Sequence, residues 1–132
     1  MITAIISLIG TIISGVLATI VTLYINHKQE LLREKRSLVA DVFGYRFLIN
    51  KGDERAEKFY AALNRIRIVF DENKDVVQAL EELYAGAMIK DPAERTKKMN
   101  DSLVTLLKNL CKAIGVKCDN WNDSKVLNVF GV

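Results

Sequence analysis

MITAIISLIGTIISGVLATIVTLYI, residues 1–25, is the stretch on which the reading of this chain turns. It contains no charged side chain. As a helix rising about 1.5 Å per residue it would extend roughly 37 Å, beyond the ~30 Å hydrocarbon core of a bilayer. That length suffices to cross with some tilt. A secretory signal peptide would show a basic start, a shorter apolar core and a small-residue cleavage pattern. Here no basic residue precedes the apolar run, and no A-x-A pattern closes it. The sequence therefore predicts a retained transmembrane helix over 1–26, followed by one helical domain over 27–132.

The run has two sides. At about 100° per residue, Thr3, Ser7, Gly10, Thr11, Ser14, Gly15, Ala18 and Thr22 fall on one half of the wheel. Ile2, Ile5, Ile6, Ile9, Ile12, Ile13, Val16, Leu17, Ile20 and Leu23 fall on the other, which suits lipid. Small and hydroxyl residues permit close approach between helices, or can wall a narrow aqueous path. One span cannot hide that half alone, so a homo-oligomer is expected. Ser7, Gly10, Thr11, Ser14, Ala18 and Thr22 are the pore-lining candidates. The plainer alternative is that Ser and Thr bond back to carbonyls of their own helix.

Charge is unevenly placed. Between His27 and Arg67 ten Lys/Arg face six Asp/Glu, whereas from Ile68 onward nine face ten. Lys28, Arg33, Lys35 and Arg36 follow the span, and no charged side chain precedes it. The positive-inside rule then puts the N-terminus outside and the domain in the cytoplasm. Cys111 and Cys118 lack C-x-x-C spacing and are expected as free thiols in that compartment.

Beyond the span, helical periodicity continues from Asn26 to about Asn50, with Leu31, Leu38, Val42, Tyr45 and Ile49 as its stripe. Nothing between Tyr24 and Leu38 breaks a helix, so the span is expected to run straight into the domain. Lys51-Gly52-Asp53 reads as a turn, with Asp53 capping a helix over about 54–70 on Ala56, Phe59, Tyr60, Leu63, Ile66 and Phe70. A third helix, about 74–88, points Val76, Val77, Leu80, Leu83, Tyr84 and Met88 inward. Asp91-Pro92-Ala93-Glu94 is a strong start signal: a capping acid, proline at the first helical position and an acid where a capping box wants one. The fourth helix runs to about Ile114, where Gly115 suits a C-terminal cap. Residues 126–130 form a short helix or strand. The fold class is an all-α bundle behind one membrane helix.

Catalytic chemistry is sparse. The single histidine, His27, sits at the membrane boundary, and two cysteines with no further histidine are too few for zinc. No Gly-rich phosphate loop, G-x-S-x-G or H-E-x-x-H occurs. No enzyme, cofactor or metal is expected. Two arginines break pattern: Arg46 and Arg67 both fall within apolar arcs, whereas Arg55, Lys58 and Arg65 lie opposite the core stripe. A buried guanidinium needs a partner, either an acid such as Asp71 or Asp75 or the phosphate of a ligand. Tyr45, Tyr60, Tyr84 and Trp121 could stack a base, or serve as core.

LVADVFGYRF (38–47), ALNRIRIVFDENKDVVQALEELY (62–84) and LLKNLCKAIGVKCDN (106–120) resemble, in that order, a bacterial family of unknown function. Its members pair an N-terminal membrane helix with a small cytosolic helical domain. Arg46 and Ala62-Leu63-Asn64 match best, while Lys125 to Val132 lacks the Tyr/Pro-containing end of that pattern. Such single-span proteins also resemble membrane effectors of anti-phage defence, the Hailong effector among them. The resemblance implies a tetrameric channel-like protein controlled by a nucleotide or oligodeoxynucleotide from a partner nucleotidyltransferase. On this reading Arg46 and Arg67 bind the ligand, with Asn64, Lys51 and Arg65 as weaker candidates. The alternative is a membrane-tethered adaptor that recruits a protein and conducts nothing.

Overall fold

A computed structural model describes residues 1–49, 54, 56–118 and 120–127. Those residues are helical or irregular, with no strand among them. Helix α1 spans Ile2–Tyr45 and gives way to a 3₁₀ turn, Arg46–Leu48. Helices α2 (Ala56–Val69), α3 (Lys74–Ala87), α4 (Pro92–Ala113) and α5 (Asp123–Leu127) follow. The chain divides into two compact units, Met1–Arg33 and Glu34–Val132.

In the first unit every residue is exposed, including all the large isoleucines and leucines. None of its apolar run is buried. By length and composition this part of α1 can cross a membrane. The expected continuity holds, because α1 is unbroken from Ile2 to Tyr45. Its end comes earlier than Asn50, however, as the last turn tightens to 3₁₀ just after Gly44. Gly115, at φ +81°, takes the left-handed conformation that ends α4, as its position suggested.

The second unit is built on a single core. Leu38 and Val42 of α1, Phe59 and Ile66 of α2, Val76 of α3 and Leu103, Leu106, Leu107 and Leu110 of α4 are wholly buried. The caps explain where the helices begin. Asp91 accepts a hydrogen bond from the Glu94 amide (3.2 Å), with Pro92 opening α4. Asn73 does the same for α3 through the Val76 amide. The Lys51-Gly52-Asp53 turn, the Asp53 cap and Arg55 lie outside the described residues.

Several expected core positions are not core. Leu31 of the α1 stripe is 45% exposed, as are Tyr60 (46%), Tyr84 (63%) and Met88 (68%). On α3 the inward place at that end belongs to Gly86, which is buried. A β-carbon there would stand 3.0 Å from Lys98 Cγ and 3.5 Å from the Met99 amide nitrogen. Glycine thus lets α3 lie close along α4, and the apolar stripe of α3 rotates away from its last turn. By contrast, α2 meets α3 only sparsely.

Candidate functional site

The gap that α2 and α3 leave between them is a cavity of about 330 Å³. Phe59, Leu63 and Arg67 recur at intervals of four along α2 and so face it together. Leu80, Leu83 and Ala87 line it from α3, and Met99 of α4 closes it. Phe59, Leu80 and Leu83 are buried and form its interior, whereas Tyr60, Asn64, Arg67 and Tyr84 are exposed at its edge.

The structure places Arg67 differently from the sequence expectation. Its guanidinium is not buried but exposed. Among the described residues it makes no hydrogen bond or ion pair, with Asp71, Asp75 or any other acid. Asn64 stands one helical turn before it on the same edge. An unpartnered cation, an amide and two tyrosines at the mouth of an apolar chamber have the make-up of a small-molecule site.

Arg46 belongs elsewhere. It is half-buried, and its Nε donates to the Val126 carbonyl at 2.6 Å while Nη1 donates to the Phe43 carbonyl. Those carbonyls lie in the last turns of α5 and α1, where backbone acceptors are left over and the helix dipole is negative. The guanidinium also covers the Phe43 ring at 5.4 Å, and Phe43 meets Trp121 edge-on at 6.3 Å. Desolvation lowers the Arg46 pKa from its ordinary value. Arg46 is not among the residues that line the α2–α3 cavity.

Arg65 pairs with Asp41 at 3.6 Å, both about half exposed, and does not line the cavity. Such a pair contributes little to stability. Lys51 lies outside the described residues. Lys58, expected only as a solvated charge, sits 6.0 Å from the Tyr45 ring. In the apolar segment, Thr11, Ser14 and Thr19 hydroxyls donate to the carbonyls of Ser7, Gly10 and Gly15, each at 2.9 Å. Those three hydroxyls thus follow the plainer alternative, satisfied within their own helix. Nothing lies within 4 Å of the space a side chain would take at Gly10 or Gly15. Among the described residues no group of three His, Cys, Asp or Glu side chains could hold a metal.

Cys111 and Cys118 are free and buried. The Cys118 thiol donates to the Lys108 carbonyl at 3.6 Å. Burial, reinforced by the neighbouring Cys118 thiol, pushes Cys111 up to about 12.

These features define a class: a small all-α unit with an open, apolar, cation-edged cavity, carried on a helix long enough to cross a membrane. The chain belongs to the family of unknown function DUF6680, whose model matches residues 1–126. No curated protein and no solved structure matches it.

Proposed function

We propose that this chain is a self-associating membrane effector whose helical domain senses an anionic ligand and thereby controls an ion path. Copies would meet, as a tetramer, along the Ser7, Gly10, Thr11, Ser14, Ala18 and Thr22 side of the apolar segment. The domain, on the cytoplasmic side of a bacterial inner membrane, would take its ligand at the α2–α3 cavity. Binding to one arrangement of the domains shifts the population between closed and open.

The observation that carries this reading is the pairing of two features in one chain: an apolar helical segment with every residue exposed, and a cavity edged by an arginine with no partner among the described residues. The anti-phage resemblance adds a ligand class, a nucleotide or oligodeoxynucleotide made by a partner nucleotidyltransferase. Tyr60 and Tyr84 offer stacking faces for a base, and Arg67 and Asn64 offer donors for phosphate. Arg46 and Arg65 leave the proposed ligand set for their structural partners, and Lys51 lies outside the described residues.

Bacteria expressing the chain and stained with a membrane-potential dye test the conductance. Depolarisation is expected, and Gly10→Leu or Ser14→Leu should abolish it while the domain still folds. Unchanged depolarisation in both variants removes the pore assignment. The second reading is a membrane-tethered adaptor that recruits a protein and conducts nothing. A stably anchored oligomer that leaves the potential intact would favour it.

A further inference from the structure

The edge of the cavity can hold an anion, but its interior selects what that anion is attached to. Phe59, Leu63, Leu80, Leu83 and Met99 offer no hydrogen-bond donor or acceptor inside. A nucleobase pushed into that chamber would leave its polar edge unpaired, which is costly away from water. An alkyl chain gives up no hydrogen bond there and gains from every methylene that leaves water. The charge at the mouth completes the match. Arg67, exposed and unpaired among the described residues, presents two parallel N–H donors to a carboxylate, and Asn64 can add a third. About 330 Å³ is near the lower end for small-molecule sites, which suits one chain and not two.

We infer that the α2–α3 cavity binds a single-chain fatty carboxylate, with the alkyl chain on Phe59, Leu63, Leu80 and Met99 and the carboxylate on Arg67. The inference rests on the reading that this cavity is the ligand site of the domain. It does not rest on conductance. A fatty carboxylate and a nucleotide would both draw on Arg67, so competition between them separates the two ligand chemistries.

The test uses the purified full chain in lipid nanodiscs and a decanoate carrying a photoreactive diazirine near its methyl end. After irradiation, cross-linked peptides are mapped by mass spectrometry. Labelling of the peptides bearing Leu63, Leu80, Leu83 and Met99 is expected. Labelling of residues 2–25 by bilayer-dissolved probe provides an internal reference. Unlabelled octanoate, nonanoate and decanoate should displace the cavity label with affinities rising about fourfold per methylene. Arg67→Gln should weaken cavity labelling about threefold to fivefold, the loss of a solvent-screened charge pair, without changing the reference. Ala87→Trp should block the cavity. Both positions are exposed, so neither change removes a core side chain.

Labelling confined to residues 2–25 overturns the inference. So does cavity labelling that Arg67→Gln leaves untouched, or that an oligodeoxyadenylate displaces and decanoate does not. Cavity labelling that meets all the expectations in a chain that passes no ions supports the inference and removes only the channel reading.

Discussion

Arg46 Nε and the carbonyl oxygen of Val126 are 2.6 Å apart, joining positions 80 residues distant in sequence. With its second bond to the Phe43 carbonyl, this one side chain caps the C-terminal ends of α1 and α5 together. A short helix such as α5 has little stability of its own. It is held in place by Arg46, by the buried Val126 side chain and by the Phe43–Trp121 contact beside it.

Arg46→Met should therefore lower the stability of the domain by about 2 kcal/mol, since it leaves two carbonyls without their charged donor. Arg46→Lys should recover less than half, because an ammonium has no fork to bridge two acceptors. Thermal unfolding checks both. Cavity labelling by the photoreactive decanoate should persist in each variant below its melting point, which separates this arginine from Arg67.

Gly86 sets the spacing of α3 and α4. Gly86→Val should destabilise by roughly 1–3 kcal/mol, the range for forcing extra carbons into a filled contact. Gly86→Ala brings the helix preference of alanine, about 1 kcal/mol, against the 3.0 Å approach to Lys98 Cγ. Lys98 is exposed, so its side chain can give way, and a near-neutral outcome is expected. Urea midpoints of the two variants distinguish these responses.

Cys111 should resist alkylation in the folded protein at pH 8 and react orders of magnitude faster once urea unfolds it, because the thiolate is the nucleophile. Folding raises its pKa from an ordinary value near 9 to about 12. The neutral thiol is thus the form that folding favours. Its contribution is complete below about pH 9 and is lost as pH climbs toward 12. The difference in melting temperature between the parent and Cys111→Ala should narrow across that window.

Orientation can be read with a reporter. Lys28, Arg33, Lys35 and Arg36 should hold the domain in the cytoplasm. A C-terminal alkaline phosphatase fusion should be inactive and a C-terminal fluorescent protein bright. Replacing the four with glutamine and adding lysines before Ile2 should reverse the pair of signals.

What the sequence carried, it carried locally. The Asp91 cap with Pro92 behind it, the Gly115 stop and the leucine stripe of α4 are settled by neighbours three or four residues away, and all are found in the structure. The edges of the apolar arcs were less legible. Tyr60, Tyr84 and Met88 satisfy helical spacing, yet which edge of a wide arc is covered depends on where the next helix lies. That is decided by Gly86, a residue with no side chain to register in a hydrophobic pattern. For the same reason Arg67 was recognisable as out of place in an apolar stripe, but not as a cation at a cavity mouth. Arg46 was equally conspicuous, although its partners are backbone carbonyls, which no residue pattern encodes.

The central claim is that the apolar segment brings copies of this chain together. Counting photobleaching steps of single fluorescent chains in nanodiscs, over a wide range of dilution, addresses it most directly. The account predicts a fixed number of steps, four for the tetramer, with Gly10→Leu reducing it. One step at every dilution would contradict it, and the ion path would go with it.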